Sequence, residues 1–459
     1  MNADYQAVHE CDMLIVGGGA SGILAALGAV YDAGFSGSVM IIEKEYRPLR
    51  KVLASGNGRC NLANMSDLEG RYHGANPSFV NGALHRLPVT EMLDLFERWG
   101  LRTRVDHANR VYPRSMQAKS VSLILLRALA HYDLSVRTET EILSIEKLEN
   151  GFEAALSDGT AVKTRAVIMA AGSPASPNLG GSFSGLSILQ RLGHTVLEPM
   201  PALVPLTLTK ADVLKGAEGV RFRGGARFES YFGESSPTVK GEFLVTSYGL
   251  SGIASMELAR YVSKAEVRGR AESRENGDGI GQVVIDFLPE IGLNELKAHL
   301  ESSAYAFPTD RARQQDRHDS RRLYTEQPAS SSCKKEDMVD LNALLAGVVP
   351  EKIGRVILSS INSNRLRKPQ LFAAIAESLK KFELSVEGTR GFEFAQVAAG
   401  GAATADFDAV TLMSEKVPGL FACGEILDID GDTGGYNLLW AFASGYQAGI
   451  SAARYLMDD

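Results

Sequence analysis

The alternation of apolar and polar positions near the start of the chain predicts a strand, a turn, a helix and a second strand. Met13–Val16 is a short apolar run, and Ser38–Glu43 is a second one that ends in an acid. The turn after the first run has the spacing Gly17-x-Gly19-x-x-Gly22. In such turns the first glycine allows a tight bend, the second lets a pyrophosphate approach the backbone, and the third lets helix and strand pack closely. This pattern predicts a dinucleotide site, without saying which dinucleotide.

Two further features of the segment favour a nucleotide site over a simple packing turn. The helix would begin at Ala20 and Ser21, where free backbone N–H groups and the positive helix end attract phosphate. Glu43 stands at the end of the second strand, where a carboxylate can accept the ribose hydroxyls of an adenosine.

The chain up to position 196 continues as a mixture of helices and strands. Residues 48–66 are polar and rich in glycine and asparagine, which predicts a loop. Apolar faces at helical spacing predict helices at Thr90–Trp99 and Ser120–His131, and short strands flank a turn at 107–109. Strand-like runs follow at Ser135–Ile145, Phe152–Leu156 and Ala161–Ala170, and the last of them meets a tight turn at Ala171 and Gly172.

From about Val196 the pattern changes to strands without regular helices between them, which predicts a separate β-rich domain. Residues 293–383 have helical periodicity, apart from an arginine-rich polar stretch at 309–335 that is read as a solvated helix and loop. Strand-like texture returns at Phe394, and a last helix is predicted at Leu438–Met457. The predicted domains are therefore 1–196 with 385–459, a β-rich insert at 197–290 and a helical insert at 291–384. The β-rich domain is expected to regain a strand from the stretch before Phe394.

Composition narrows the function classes. The 459 residues are 45% hydrophobic and 22% charged, with a net charge of −7, so we expect neither nucleic acid nor an anionic membrane as a partner. No apolar run reaches the roughly 18 residues of a spanning helix, and the start of the chain is unlike a signal peptide. The cysteines form no C-x-x-C pair. A reducing, cytoplasmic location and no metal site are expected, and the oligomeric state stays open.

A second strand, glycine loop and helix occur near the other end of the chain. The apolar run Leu420–Ala422 leads to Gly424 and Glu425, further glycines follow, and a long helix begins at about Asn437. A helix directed at a cofactor in this way would stabilise negative charge that develops on it.

Several sequence runs together resemble one known family. They are Ile15–Gly22, Ser55-Gly56-Asn57-Gly58-Arg59-Cys60-Asn61, Arg110–Pro113, Leu192–His194, Pro201–Leu206, Gly249–Gly252, Val417–Leu420, Gly424–Asp428 and Gly434–Leu438. Over nearly the whole chain the sequence resembles the HI0933-like (YhiN/BaiN-type) flavoproteins. The resemblance implies an α/β fold in which a two-dinucleotide-fold, Rossmann-like domain binds FAD non-covalently and carries an inserted β-rich domain and a helical domain.

The motifs and the resemblance together give a set of expected cofactor-binding residues. These are Gly17, Gly19, Ala20, Ser21, Gly22, Glu43, Lys44, Lys51, Ser55, Gly56, Gly58, Arg59, Cys60, Asn61, Ala171, Gly172, Gly424, Glu425, Asp432, Gly435, Tyr436, Asn437 and Leu438. The adenosine end of the FAD is expected at the first glycine turn and the redox ring at the last helix. Cys60 is read as an inert thiol, because no second cysteine lies at the spacing of a redox pair.

The resemblance implies an oxidoreductase but leaves its reaction open. Members of the family reduce conjugated double bonds in bile-acid-like ketones or oxidise small amino ketones. The first hypothesis is therefore NAD(P)H-dependent reduction of an enone-type C=C bond in a small substrate. The alternatives are an oxidase or dehydrogenase of a small amine or amino ketone, and a non-catalytic flavin sensor or electron-transfer module.

Hydride transfer by a flavin needs no amino-acid nucleophile, so the catalytic residues are not identified. Tyr112, Tyr248 and Tyr436 are the polar candidates. The chain has no second Gly-x-Gly-x-x-Gly motif for NAD(P)H, so such a donor would bind transiently.

The chain departs from the family pattern at several positions. Phe183–Leu186 replaces a Thr-Gly-Asp-Gly-Tyr run, and Ser247, Ile253 and Leu439 replace a histidine, a proline and a glutamine. Ser247 and Leu439 are expected near the flavin, and their replacement puts the substrate in doubt.

Overall fold

A computed structural model describes residues 7–209, 214–233, 235–271, 279–306, 340–361 and 368–458. Its strands are β1 Val8–Val16, β2 Val39–Ile42, β3 Ala63–Asn64, β4 Tyr72–His73, β5 Thr103–Val105, β6 Arg110–Pro113, β7 Val136–Arg137, β8 Ile142–Lys147, β9 Phe152–Leu156, β10 Ala161–Met169, β11 Val196–Ala202, β12 Leu206–Leu208, β13 Arg221–Ser230, β14 Val239–Thr246, β15 Gly249–Ser251, β16 Gly281–Asp286, β17 Phe382–Thr389, β18 Val397–Ala402, β19 Leu420–Ala422 and β20 Asp430–Gly431. Its α-helices are α1 Ala20–Leu27, α2 Arg50–Gly58, α3 Val80–Arg86, α4 Val89–Arg98, α5 Ala118–His131, α6 Ser184–Arg191, α7 Ile253–Glu257, α8 Ala259–Ala271, α9 Leu293–Ala306, α10 Leu341–Ala346, α11 Glu351–Ser360, α12 Lys368–Lys380 and α13 Gly434–Asp458.

The chain divides into two compact units. The first joins Met1–Val204 to Arg390–Asp459, and the second is Pro205–Thr389. The first unit therefore contains segments from both ends of the chain. The expected boundary between a β-rich and a helical insert, at 290/291, falls inside the second unit, and the division into two inserts stays a prediction.

The first unit is built on a seven-stranded sheet in the order β7-β2-β1-β10-β9-β8, with β19 paired to β10. β1 runs parallel to β2 and to β10, and β10 runs parallel to β19. Met13, Leu14 and Ile15 of β1 are fully buried. A continuous apolar run of this kind is typical of a parallel strand that is covered on both faces.

The second unit contains a closed six-stranded barrel in the order β12-β15-β14-β13-β16-β17. Buried phenylalanines stack within it, and the rings of Phe222 and Phe243 lie 5.2 Å apart. β17 pairs with both β12 and β16 and so closes the barrel. The expectation that the β-rich region regains a strand from before Phe394 is confirmed.

Four element predictions need correction. The β-rich region is not free of regular helices, because α7 and α8 lie between β15 and β16. Residues 50–58 are not a plain loop, because Lys51, Val52 and Leu53 continue helix α2 before the backbone leaves helical geometry at 55–57. The run at 135–145 is two short strands, β7 and β8. The last helix begins at Gly434, four positions before the predicted Leu438, since its first turn opens with two glycines and shows no apolar periodicity.

The expectations for 309–335, and for Cys333 within that stretch, lie outside the described residues. Among the helices that are described, none has the length and apolar character needed to cross a membrane.

Candidate dinucleotide site

Four segments that were predicted independently meet at one edge of the sheet in the first unit. Because β1, β2, β10 and β19 are parallel, their carboxyl ends share that edge. Gly17 follows β1, Glu43 follows β2, Gly172 lies just beyond β10, and Gly424 lies just beyond β19. Open α/β sheets bind ligands outside the carboxyl ends of their strands. This edge is therefore the candidate dinucleotide site.

The three glycines of the first turn have three different surroundings. Gly17 has a φ of +106°, and a Cβ atom there would stand 2.5 Å from the carbonyl oxygen of Ala170. A Cβ on Gly22 would stand 1.9 Å from the carbonyl oxygen of Gly17. Around the corresponding position of Gly19, in contrast, no atom lies within 4 Å. Gly17 and Gly22 thus permit close packing, whereas Gly19 leaves open space before the first turn of α1.

No side chain caps the amino terminus of α1. The first N–H groups of a helix have no partner within the helix, so those of Ala20 and Ser21 suit an anionic ligand. Glu43 is fixed beside this turn, because its Oε2 accepts a 2.8 Å hydrogen bond from the Gly18 N–H and its Oε1 accepts one from the Glu45 N–H. A carboxylate oxygen has a second lone pair, which leaves capacity for a hydroxyl group. Lys44 is half-buried next to it.

A three-residue contact joins distant parts of the chain at the same edge. Glu425 Oε2 accepts hydrogen bonds from Lys51 Nζ at 2.9 Å and from Ser173 Oγ at 3.1 Å. Lys51 and Glu425 were expected at the site. Ser173 was missed, although it directly follows Ala171 and Gly172. The available signal was a serine in the tight turn that follows the apolar strand.

The glycine-rich run at the end of α2 reverses the direction of the chain. Gly56 and Gly58 have φ values of +57° and +77°, and both are exposed. The Ser55 hydroxyl donates to the Val52 carbonyl at 2.6 Å and so ends the helical part. This run presents backbone rather than side chains, as expected of a loop that a ligand approaches closely.

Arg59 lies on this run against an aromatic ring. Its guanidinium carbon is 5.6 Å from the ring centroid of Tyr112, and its Nε donates to the Gly56 carbonyl at 3.2 Å. The guanidinium of Arg110 lies 6.0 Å from the same centroid. Two guanidinium groups beside one ring form cation–π contacts and leave Arg59, which is exposed, available to an anion.

Cys60 and Asn61 lie beneath the run. Cys60 is fully buried, and burial raises the pKa of its thiol from 9.0 to about 12, so it is protonated at neutral pH. This agrees with the interpretation of Cys60 as an inert thiol. The amide of Asn61, in its better orientation, donates to the Ala63 carbonyl and accepts from the Gly435 N–H. Asn61 therefore connects the run to the last helix.

The amino terminus of α13 has an open first turn. No atom lies within 4 Å of where a Cβ would stand on Gly434. Thr433 Oγ1 is buried there without a hydrogen-bond partner among the described residues. The side chain of Asn437 is fully used, because it accepts from the Gly431 N–H and donates to the carbonyls of Gly431 and Thr433. Asn437 shapes this loop, and Leu438 next to it is half-buried.

Asp432, another expected site residue, lies just before this helix and contacts two side chains that the sequence did not single out. Its Oδ1 is 2.6 Å from His73 Nε2, and its Oδ2 is 3.2 Å from Arg71 Nη1. Strand pairing between β4 and β20 brings these residues together. The pairing crosses more than three hundred positions of sequence, and no local motif signals it.

Two of the three candidate catalytic tyrosines are buried in the first unit. Tyr112 is 4% exposed and Tyr436 is 3% exposed. The hydroxyl of Tyr72 donates to the Tyr436 carbonyl at 3.1 Å, and the two rings meet edge to face. Tyr248 is half-buried in the turn between β14 and β15 of the second unit. The catalytic role of each stays a prediction.

The departures from the family pattern have different surroundings. Leu439 is fully buried and belongs to the hydrophobic core of the first unit. Its side chain therefore packs inside the unit instead of facing an open site. Ser247 and Ile253, in the second unit, are both exposed.

Comparison with known proteins agrees with this fold. A family model described as the HI0933-like protein Rossmann domain matches residues 11–451. The chain is 34% identical over 450 residues to the 3-dehydro-bile acid delta(4,6)-reductase of Clostridium scindens, which covers 96% of this chain and 98% of that protein. It is 28% identical over 442 residues to the ribosomal RNA dihydrouridine synthase of Escherichia coli, at 96% and 97% coverage.

Among solved structures, the 3-ketosteroid-delta4-(5alpha)-dehydrogenase of Rhodococcus jostii RHA1 is similar, with 15% identity, 98% coverage of both chains and a TM-score of 0.44.

Fold and site together define a flavoprotein oxidoreductase with a Rossmann-type dinucleotide fold. The chain belongs to the HI0933-like family and is an FAD-dependent oxidoreductase. The site fits that cofactor on three observations: open space at Gly19, an open helix start at Gly434 and an orphaned buried hydroxyl on Thr433. The individual residues expected to contact FAD remain predictions.

Proposed function

We propose that the protein reduces an activated C=C bond, conjugated to a carbonyl group, in a small organic substrate, with NAD(P)H as the electron donor. The observation that carries this proposal is the full-length similarity to a bile acid delta(4,6)-reductase at 34% identity. The printed activity of that relative is a reduction. The alignment covers 98% of that relative.

When bound, FAD supplies transfer of a hydride between its N5 atom and a carbon of the substrate. The chain's own residues would bind and orient the reactants. Gly17, Gly19 and Ala20 would hold the pyrophosphate, and Glu43 the adenosine ribose. Glu425, whose Oε2 is fixed by Lys51 and Ser173, would keep Oε1 for a hydroxyl of the cofactor. The open start of α13 would stabilise negative charge at the ring end.

The test is anaerobic stopped-flow reduction of the purified holoprotein, monitored at the flavin absorbance. NADH or NADPH should bleach the flavin, and a steroid 4-en-3-one should then restore the colour with formation of the saturated ketone. Bleaching only by amines, with peroxide formed on admission of air, would replace the reductase by an oxidase. If neither the nicotinamide donors nor the amines bleach the flavin, a sensor or electron-transfer module becomes the better interpretation.

A second candidate substrate is uracil within RNA. The similarity to a ribosomal RNA dihydrouridine synthase at 97% coverage of that protein favours it. The C5=C6 bond of uracil is also conjugated to a carbonyl, so the same chemistry applies. The net charge of −7 makes RNA the less favoured partner.

One assay can distinguish the two candidate substrates. The reduced protein is mixed either with the steroid enone or with unmodified ribosomal RNA, and reoxidation of the flavin is followed. Faster reoxidation by the enone supports the small-molecule reductase. Faster reoxidation by RNA, with dihydrouridine detected by mass spectrometry of the digested nucleosides, would transfer the proposal to RNA.

A further inference from the structure

The loop 71–75 carries a histidine that the cofactor motifs do not include. His73 belongs to β4, which pairs with β20 just ahead of α13. The loop is fastened at several points: the Ala75 N–H donates to Asp428 Oδ2 at 2.7 Å, and the Tyr72 hydroxyl donates to the Tyr436 carbonyl. The imidazole therefore has a fixed place beside the residues that open the last helix.

The partner of His73 decides which ring nitrogen carries the proton. Its Nε2 lies 2.6 Å from Asp432 Oδ1, and an ionised carboxylate can only accept a hydrogen bond. Nε2 is therefore the protonated nitrogen of the neutral ring, and Nδ1 keeps a basic lone pair. Nδ1 makes no hydrogen bond to any part of the chain that the structure describes. The side chain of His73 is 29% exposed, so a proton can reach it from water.

The surroundings of the dyad are mostly anionic. The charged groups on the elements packed here are Arg71 on the same loop and Asp428, Asp430 and Asp432 on the facing segment; the hydroxyl groups are those of Tyr72 and Tyr436. Negative charge that arises on a group bound at the start of α13 would attract a proton to this dyad.

We propose that His73, oriented by Asp432, takes up a proton when the bound FAD is reduced and returns it to the substrate. This rests on the proposed function and on the ring end of FAD lying at α13. Reduction by NAD(P)H transfers two electrons and one proton as a hydride, and the second proton comes from water onto His73 Nδ1. In the oxidative half-reaction the hydride passes to the β-carbon of the enone and the His73 proton to the α-carbon. The sum is enone plus NAD(P)H plus H⁺, giving saturated ketone plus NAD(P)⁺.

The test measures the midpoint potential of the bound FAD against pH, with dithionite as reductant and no organic substrate. At pH values where the reduced flavin ring is anionic and itself takes up one proton per two electrons, uptake of a second proton by His73 doubles the slope over part of the range. His73→Gln should remove this steeper segment. Asp432→Asn should move it to lower pH. His107→Gln, an exposed histidine in the turn before β6, is the control and should match the wild type.

A steep segment that persists unchanged in His73→Gln would overturn the proposal. If His73→Gln does not retain FAD, the comparison of Asp432→Asn with wild type decides, since an unmoved segment also contradicts the role. The measurement uses neither enone nor NAD(P)H, so it can succeed or fail independently of the proposed reaction.

Discussion

Gly445 of the last helix lies directly against Ser21 of the first: a Cβ atom on Gly445 would stand 2.1 Å from the Ser21 carbonyl oxygen. One turn later a Cβ on Gly449 would stand 1.9 Å from the carbonyl oxygen of Ala25. A Cβ on Gly28 would likewise stand 2.4 Å from the carbonyl oxygen of Tyr446. α1 and α13 therefore pack backbone to backbone, and this contact fixes the two halves of the dinucleotide site together.

Gly445→Ala should destabilise the first unit. The added methyl group meets a backbone carbonyl, which cannot rotate away, so we expect a loss of about 3 kcal/mol, at the upper end of overpacking costs. The measurement is the temperature at which bound flavin becomes fluorescent on heating. Gly292→Ala, where the methyl group would meet open space, is the matched control. Equal melting temperatures for both variants would contradict the tight contact.

Gly19→Ala and Gly22→Ala should separate cofactor binding from folding. At Gly19 the methyl group enters empty space and a normal backbone conformation, so the apoprotein should keep its melting temperature. FAD affinity should fall about tenfold, which corresponds to about 1.4 kcal/mol. At Gly22 the methyl group meets the Gly17 carbonyl, so the apoprotein itself should melt earlier. Unchanged FAD titration of Gly19→Ala would show that the pyrophosphate does not lie there.

Ser173→Ala should weaken FAD binding through Glu425. It removes one of two hydrogen bonds that fix Glu425 Oε2, and a single hydrogen bond contributes about 1 kcal/mol, or roughly a fivefold change in Kd. Fluorescence titration of the apoprotein with FAD measures the change. Ser187→Ala removes an exposed hydroxyl that donates to the Phe183 carbonyl just before the same helix, and it should bind FAD like the wild type. A Kd of Ser173→Ala equal to that control would exclude Ser173 from the site.

The buried thiols predict how stability depends on pH. Burial raises the pKa of Cys60 and of Cys423 from 9.0 to about 12, and that of Cys11 to about 11. Above pH 9 the unfolded chain loses these protons while the folded chain keeps them, so the free energy of unfolding should fall as the pH rises toward 12. Urea unfolding at pH 8 and pH 10 measures this, and a smaller pH dependence is expected for Cys60→Ala.

Thiol labelling gives an independent check in a Cys333→Ser background. The three buried cysteines should react with iodoacetamide far more slowly in the folded protein than in guanidinium chloride, because the thiolate is the reactive form. Rapid labelling of Cys60 in the folded protein would contradict its interpretation as an inert thiol.

Local patterns predicted the start of the site well. The turn at Gly17, the helix after it and the acid at Glu43 follow one another within a short stretch, and each has a residue type that its backbone or ligand demands. The strands Phe152–Leu156 and β10 were also predicted, because their apolar runs are visible in the sequence. Many of their apolar residues are buried in the structure.

Pairings between distant residues could not be predicted. Ser173 and Lys51 lie far apart in the sequence, and only the fold shows that both contact Glu425. His73 was missed for the same reason, because it meets Asp432 only through the pairing of β4 with the distant β20. The helical part of α2 was missed because its glycines suggested a loop, although the residues before them are ordinary helix formers.

The contact between α1 and α13 also sets an order of events during synthesis. The ribosome delivers residues 1–204 first, but the groove formed by Ser21, Ala25 and Gly28 accepts its partner helix only when the final segment emerges. The nascent first unit must therefore wait, with that groove and the carboxyl edge of its sheet incomplete, while the whole second unit is translated. We therefore expect FAD to bind only after the final segment has been synthesised, and a chain truncated before Gly434 to lack the part of the candidate site that α13 supplies.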